Sequence, residues 1–423
     1  MHREKIKNRI KYLLNKGGEY LKTDLIYFTK GSFWLFFGQV GAWIFSFGLA
    51  TLLANILPKE FFGNYQFVLA IAGTIGAFSL TGMNAAVTRA VAQGKDKVFK
   101  ESISTQIKWN GLMMAAGLLI GIYYFINDNQ SVGWSMVAIG LFLPLANAFN
   151  TYVAFLNGKR DFKKIAFYGI GASLVVSLFV LGASLTYISL PFIIGIYSIL
   201  TFIVNFVAYK IIIRNHQFND AFDESSIKYG KHLSLVNALF SFSQELDKIF
   251  LFHYLGGVVL ASYFLATLIP ENIKNFIKLV NPLSLPKFSQ RNISEIRENI
   301  YYKLIISLVV SICLALAYII IAPILFHFVF PQYLDAIKLT RIYSLIIVFS
   351  GPMILMMSVL NSQAMVKQVY IFNITTFIVK LLVVFFGIKI AGVYGLAWGM
   401  VILYAVMTIT LFILMSKTNK KPL

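Results

Sequence analysis

The chain has 423 residues, of which 58% are hydrophobic and only 13% charged, and its mean hydropathy is +0.74. Soluble domains carry about a quarter charged residues, so this composition excludes a soluble protein with one anchor and predicts a polytopic membrane protein. The formal net charge of +20 does not indicate nucleic-acid binding, because the cations lie in short runs between apolar segments.

Residues 1–30 form a basic segment before the first apolar stretch. In a helix, Ile6, Ile10, Leu13 and Leu14 would share one face, and the surrounding lysines and arginines would attract anionic lipid. A cytoplasmic amphipathic helix on the membrane surface and a solvated tail are equally good interpretations. No cleavable signal peptide is expected, because the first apolar stretch begins near Gly31 and is long enough to span.

Twelve apolar segments follow, each near the ~20 residues that a helix needs to cross a bilayer. They lie at residues 31–54, 64–88, 108–127, 133–156, 165–188, 191–213, 232–254, 258–283, 303–328, 338–361, 367–389 and 392–416. We therefore expect an all-α membrane protein with two six-helix bundles, residues 31–213 and 232–416, around a central cavity. Residues 214–231 would be a cytoplasmic linker and residues 417–423 a cytoplasmic tail.

Lysine and arginine are distributed unequally between the predicted loops. With the N-terminus inside, the cytoplasmic segments carry 29 of the 37 lysines and arginines, and the outer segments carry only Lys59, Lys338, Arg341 and Lys389. Cytoplasmic loops of membrane proteins are enriched in these residues. Both termini are therefore predicted to be cytoplasmic.

The two halves of the sequence resemble each other. Gly63-Asn64-Tyr65 follows the first span as Ala261-Ser262-Tyr263 follows the seventh, at a shift of 198 residues, and the segments 155–163 and 359–367 match at a shift of 204. Each half has an even number of predicted spans, so the repeat is parallel and its axis lies along the membrane normal. Such a pair of bundles can expose a central cavity to alternate sides of the membrane.

Charged side chains lie inside the predicted spans, where an unpaired charge costs at least about 2.5–3.5 kcal/mol. They should therefore face protein or water. The set comprises Glu245, Asp247, Lys248, Glu271, Lys274, Lys278 and Lys380. Pro270 precedes Glu271 and leaves the carbonyl of Ala266 without its helical partner, so we expect a kink there.

Two interpretations of these charges stay open. Glu245 with Lys248, and Glu271 with Lys274, are spaced to form structural ion pairs. Alternatively, the lysines point into the space between the two bundles and bind substrate. The cavity is favoured for the lysines, because Lys278 and Lys380 have no partner nearby in sequence.

Three uncharged or peripheral residues extend the candidate cavity. Arg89 lies near its predicted cytoplasmic mouth, and Asn84 and Asn147 could donate hydrogen bonds into it. Asparagines in spans also join neighbouring helices, which is the other interpretation for Asn84 and Asn147. The single cysteine, Cys313, and the scattered histidines give no metal-ligand spacing, so neither a metal nor another cofactor is expected.

Several short motifs resemble one family. They are Leu52-Leu53-Ala54, Phe61 to Tyr65, Gly82-Met83-Asn84 with Arg89, then Lys228–Leu235, Leu246–Leu251, Ala261–Ala266 and Ala391–Gly399. Together they cover nearly the whole chain and resemble the polysaccharide transporters of the multidrug/oligosaccharidyl-lipid/polysaccharide (MOP) exporter superfamily, whose fold is MATE-like. The family usually has glycine where this chain has Leu57, which is a small departure.

Within that superfamily the chain looks most similar to the O-antigen flippases. The resemblance implies a multi-pass protein of the bacterial cytoplasmic (inner) membrane that serves lipopolysaccharide or another polysaccharide biosynthesis. It implies translocation of oligosaccharide linked to undecaprenyl pyrophosphate from the inner to the outer leaflet, without covalent chemistry. The implied partners are the lipid-linked oligosaccharide and the bilayer, with a polysaccharide polymerase and chain-length proteins, and no nucleic acid.

Two other function classes would place different demands on the sequence. A MATE-like, cation-coupled exporter of drugs or other small molecules would favour acids over lysines in its cavity. Coupling to sodium or protons would use Glu245, Asp247 or Glu271. A membrane glycosyltransferase is disfavoured, because the sequence has no paired acids on a roomy loop and no glycine-rich phosphate loop after a strand.

Overall fold

The computed structural model describes residues 25–278, 293–363 and 365–416, and within these ranges the chain is helical without strands. The predicted amphipathic segment before residue 25 and the predicted tail at 417–423 lie outside the described residues. Both interpretations of the N-terminal segment therefore stay predictions.

The helices alternate with short turns along the chain. Their bounds are α1 Leu25–Ile56, α2 Lys59–Ile75, α3 Met83–Ala92, α4 Lys97–Trp109, α5 Gly111–Ile126, α6 Gln130–Phe149, α7 Tyr152–Gly158, α8 Phe162–Thr186, α9 Leu190–Asn215, α10 Glu224–Ser243, α11 Leu246–Lys278, α12 Ile293–Val329, α13 Ala336–Tyr343, α14 Ile346–Ser362 and α15 Val366–Ser416. Several predicted spans are each built from two consecutive helices; the second, for example, consists of α2, a short turn and α3.

Ten helical runs in the described residues are long and apolar enough to cross a membrane. Two of them, Glu224–Lys278 and Lys367–Ser416, have 55 and 50 residues. At ~1.5 Å per residue each would be more than twice as long as the ~30 Å hydrocarbon core is thick.

Both long runs contain a break at a predicted outer turn. Gly256 has φ 80° and ψ 179°, and Gly392 has φ 56°. Positive φ is adopted readily only by glycine, so glycine permits the chain to reverse at these points. Each run can thus supply two crossings, although the count of twelve and the cytoplasmic location of the termini stay predictions.

Pro270 lies inside α11 without a non-helical residue beside it, since the one interruption of that helix is at Gly256. The expected kink at the proline is therefore not seen as a backbone break. The carbonyl of Ala266, which the proline leaves without a helical donor, accepts a hydrogen bond of 2.6 Å from the hydroxyl of Thr340. A neighbouring helix thus satisfies the carbonyl.

The two halves contact each other along one line of close helix packing. Near one end, a Cβ on Gly63 would overlap the carbonyl oxygen of Gly257. Near the other end, the backbone N–H of Gly82 donates to Ser234 Oγ at 3.0 Å. Because glycine lets backbones approach closely, α2 and α3 pack directly on α10 and α11.

The linker between the halves is fastened to the first half by polar contacts. Asp223 begins α10 by accepting hydrogen bonds from Ser225 and Ser226, and it pairs with Lys95 at 2.9 Å. Asn219 donates to the carbonyl oxygen of Gly94 at 2.7 Å. The hydrogen bond from Ser225, followed by those from Lys95 and Ser226, holds the pKa of Asp223 well below its usual value.

Candidate functional site

The charged segment Gln244–Lys248 connects α10 to α11 inside the membrane region and borders two cavities. Gln244 lines one cavity, and Glu245 and Lys248 line the other. Neighbouring residues of one backbone segment therefore line two separate cavities. We name the cavity at Glu245 and Lys248 the central cavity and the cavity at Gln244 the second-half cavity.

The central cavity has a volume of about 270 Å³ and lies between the two halves. The first half contributes residues of α1 and α2, among them Ser46, Tyr65 and Gln66, and the second half contributes Glu245, Lys248 and Phe264. Gln66 is only 5% exposed, and its amide has no hydrogen-bond partner among the described residues.

The second-half cavity has a volume of about 410 Å³ and is lined by residues of the second half alone. Three lysines lie on its wall: Lys274, Lys278 and Lys380. The remaining wall combines amide side chains with a large apolar surface that includes Met353, Met357, Met400 and Met407. Methionine is flexible and polarizable, so this surface can adapt to apolar groups of different shape.

Asp247 and Lys380 form a buried ion pair across two helices, with Oδ1 and Nζ 3.0 Å apart and each side chain 7% exposed. The hydroxyl of Tyr263 donates to the other carboxylate oxygen at 2.8 Å. Lys380 also donates to the backbone carbonyl oxygen of Gln244 at 2.8 Å. The neutralised pair thus ties α15 to the start of α11.

Glu271 and Lys274 form a second ion pair, one turn apart on α11. The carboxylate accepts a hydrogen bond of 2.8 Å from the hydroxyl of Tyr343, and the ammonium donates to the hydroxyl of Tyr404. Each of these two acids is therefore held by one lysine and one tyrosine, an arrangement that compensates the cost of burying its charge.

Glu245 and Lys248 form the third ion pair, at 2.6 Å. Their side chains are 25% and 23% exposed, so this pair is accessible from the central cavity whereas the Asp247–Lys380 pair is sealed. The ammonium of Lys248 also lies 5.7 Å from the centre of the Phe264 ring.

Lys278 differs from the other three lysines. It is exposed at the second-half cavity, and no described residue forms an ion pair or hydrogen bond with it. The three acids of the spans cancel the charges of three lysines, so Lys278 leaves the second-half cavity with one uncompensated positive charge. In the described residues no three His, Cys, Asp or Glu side chains gather in a way that could hold a metal ion.

The sequence profile of the polysaccharide biosynthesis protein family matches residues 28–292, more than half of the chain. The chain belongs to this family. No functionally curated protein matches it in sequence.

Solved structures of MATE transporters show the same fold. The chain is similar to the outward-facing form of a multidrug resistance MATE family transporter of the MOP superfamily, with a TM-score of 0.66 and 15% identity over 92% of this chain and 94% of that one. The inward-facing form of such a transporter gives the same TM-score and the same identity over 90% of this chain and 96% of that one. The eukaryotic MATE transporter AtDTX14 gives a TM-score of 0.66 and 14% identity over 92% of this chain and 96% of that one. The family match thus assigns the chain to the polysaccharide biosynthesis proteins, the solved structures show a MATE-like fold, and the ten apolar helical runs of the described residues indicate a multi-pass membrane protein.

Three of the predicted site lysines lie in a different cavity in the structure from the one that the sequence predicts. Lys248 faces the space between the halves as expected, but Lys274, Lys278 and Lys380 line a cavity inside the second half. For Lys274 and Lys278 the reason is the rotation of α11: one of its faces packs on α2 of the first half, so other residues of the helix turn toward the second half. Lys380 lies on α15 and pairs with Asp247 at the start of α11. The local ion pairs predicted as the alternative are both formed.

The first-half candidates lie away from both cavity linings. Asn84 and Arg89 are exposed on α3, and the Arg89 guanidinium lies 6.0 Å from the ring centre of Tyr229. Asn147 donates to the sulfur of Met113 at 3.7 Å, which is the helix-joining role. Their role in binding substrate stays a prediction.

Sequence reasoning missed four polar residues of the site: Gln66, Tyr263, Tyr343 and Tyr404. The repeat marked Tyr263 as a matched position but gave no reason to pair it with Asp247. The other three carried no sequence signal, since a tyrosine or glutamine in an apolar helix is common and its partner lies on another helix.

Proposed function

We propose that this exporter is a flippase for lipid-linked oligosaccharides. It moves repeat units of O-antigen or a related surface polysaccharide, carried on undecaprenyl pyrophosphate, from the inner to the outer leaflet of the bacterial cytoplasmic membrane by alternating access. It makes and breaks no covalent bond. The observation that supports this proposal is Lys278, which has no compensating acid among the described residues and lies in a cavity whose other described lysines, Lys274 and Lys380, are paired.

The charge balance suits an anionic cargo. A pyrophosphate group is strongly negative, and a cation in a cavity of low dielectric constant attracts it much more strongly than the same cation in water. Lys278 supplies that cation, and the adjacent Lys274 lies one turn away on the same helix. The methionine-rich wall of the same cavity offers apolar surface for a lipid-linked molecule.

The alternative is a cation-coupled exporter of drugs, which the similarity to MATE transporters supports at the level of fold. A cationic drug needs a carboxylate that is free to meet it. In the described residues all three acids of the spans are paired with lysines. Glu245, Asp247 and Glu271 stay candidates for coupling, but a coupling ion would have to displace a lysine first.

Transport by Lys278→Gln tests the proposal. The purified protein is reconstituted into liposomes with a labelled undecaprenyl-pyrophosphate-linked oligosaccharide, and an impermeant glycosidase measures the fraction that has crossed. We expect at least a tenfold slower translocation, because one charge-assisted contact contributes about 1.5–3 kcal/mol. Lys278→Arg should retain transport if charge is what matters.

Lys210→Gln is the matched control. Lys210 lies near the end of α9 beside the ring of Phe206 and belongs to neither cavity lining. Wild-type translocation by Lys278→Gln would contradict the proposed role of the cavity. Protein-dependent export of a cationic dye, without translocation of the oligosaccharide, would support the drug exporter instead.

A further inference from the structure

Among the polar residues that line the central cavity, Tyr65 and Gln66 have side-chain groups without a hydrogen-bond partner in the described residues, and the larger number of such groups belongs to Gln66. It is 95% buried, it lines the cavity, and its amide has no partner among the described residues. The amide atoms are accessible rather than sealed in protein, so they open onto the cavity. Amide groups held away from bulk water are usually hydrogen-bonded. A ligand in the central cavity would satisfy this one.

The Glu245–Lys248 pair presents further free groups in the same cavity. An ammonium has three N–H donors, and the described hydrogen bond to Glu245 uses one of them. The carboxylate likewise has acceptor positions left over. Since about a quarter of each side chain is exposed, these groups can reach a ligand.

The net charge of these groups selects the class of ligand. The positive Lys248 and negative Glu245 cancel, and Gln66 is neutral, so the cavity favours neither a bare anion nor a bare cation. It offers both donors and acceptors at short range, together with the rings of Tyr65 and Phe264. Donors and acceptors beside apolar rings suit a neutral molecule with several hydroxyl groups and an apolar C–H face.

We propose that the central cavity is a binding site for one neutral sugar residue of the cargo, with Gln66 and the Glu245–Lys248 pair hydrogen-bonded to its hydroxyl groups. This inference rests on the proposed function and deepens it by separating the sugar from the phosphate. The cavity of about 270 Å³ holds the equivalent of about nine water molecules at ~30 Å³ each, which leaves room for a single pyranose ring. The anionic group belongs to the second-half cavity at Lys278.

Two soluble probes test the division. The full-length protein in lipid nanodiscs is titrated with methyl β-D-glucopyranoside, followed by saturation-transfer NMR, and separately with inorganic pyrophosphate, followed by calorimetry. Gln66→Met keeps the length of the side chain but removes its donors and acceptor. Gln39→Met is the control, because Gln39 lies exposed on α1 and outside both cavity linings.

Glucoside binding should weaken by about fivefold or more in Gln66→Met, the loss expected for one hydrogen bond. It should be unchanged in Gln39→Met and in Lys278→Gln. Thermal stability of Gln66→Met should be equal to or above wild type, since Gln66 makes no hydrogen bond to the described residues that the variant could lose. A purely structural role for Gln66 would instead lower stability and leave glucoside binding intact.

The inference is overturned if the wild type shows no saturable glucoside signal, or if Gln66→Met binds the glucoside as well as wild type does. Pyrophosphate reports on the proposed function separately. Its affinity should fall in Lys278→Gln and stay constant in Gln66→Met. If Lys278→Gln leaves pyrophosphate affinity unchanged while Gln66→Met weakens glucoside binding, the assignment of the phosphate to Lys278 is wrong and the assignment of the sugar site is retained.

Discussion

Removing Lys380 isolates a buried negative charge. Lys380→Met keeps most of the volume of the side chain but takes away the ammonium that lies 3.0 Å from Asp247. Asp247 is 5% exposed, and the described hydrogen bond that remains to its carboxylate comes from Tyr263. Breaking a buried ion pair by removing one partner destabilises a protein by about 3–5 kcal/mol.

That loss converts into a measurable shift of the thermal midpoint. Unfolding entropies of about 2.1 cal/mol/K per residue give roughly 0.9 kcal/mol/K for a chain of 423 residues. The midpoint of Lys380→Met should therefore fall by about 3–6 °C. Thermal unfolding of the purified protein in one detergent, followed by intrinsic fluorescence, measures it.

Two further variants identify the cause of the shift. Asp247→Asn combined with Lys380→Met should recover most of the loss, because no orphaned charge remains. Lys248→Met should cost less than Lys380→Met, since it leaves Glu245 partly exposed at the central cavity, where water can solvate it. A Lys380→Met protein as stable as wild type, or a double variant no better than the single one, would refute this reasoning.

Three further predictions concern topology, packing and pH. In a background whose single cysteine is replaced by serine, a cysteine at Gln130 should react with an impermeant reagent in intact cells and one at Lys97 should not; labelling at Lys97 would overturn the orientation. Gly63→Val should lower the thermal midpoint by a few degrees, at about 1–3 kcal/mol for overpacking against Gly257; unchanged stability would show that the helices separate there without cost. The depressed pKa of Asp223 means that its anchoring of the linker is complete above the ordinary aspartate pKa of about 3.9 and is lost as the pH falls below it. Asp223→Asn should therefore speed hydrogen exchange in the linker at pH 7, and equal exchange rates would count against the anchor.

The architecture follows from features that are local in the sequence. Span length depends only on consecutive apolar residues, and orientation is inferred from the loop cations alone. The breaks at Gly256 and Gly392 fall at predicted outer turns because one apolar run ends and the next begins at each of them. The subdivision of the second span into α2 and α3 was not predicted, because hydropathy does not distinguish one helix from two in line.

The site depended on information that the sequence does not hold locally. Glu245–Lys248 and Glu271–Lys274 were predictable because their spacing places both partners on one helix face. Lys380 looked isolated for the opposite reason: its partner Asp247 lies on another helix. The rotation of α11 also could not be read from its own residues, since the packing of Gly257 on Gly63 determines which face turns inward.

The Asp247–Lys380 pair also has a consequence for the order in which the protein is made. The two residues are 133 positions apart, and at about 5–20 residues per second a ribosome needs roughly 7–27 s to cover that distance. During this interval Asp247 has been synthesised but its lysine has not. The Asp247–Lys380 pair can form only after the eleventh span has been synthesised. The last contact of this ion pair is thus made only when nine-tenths of the chain has been synthesised.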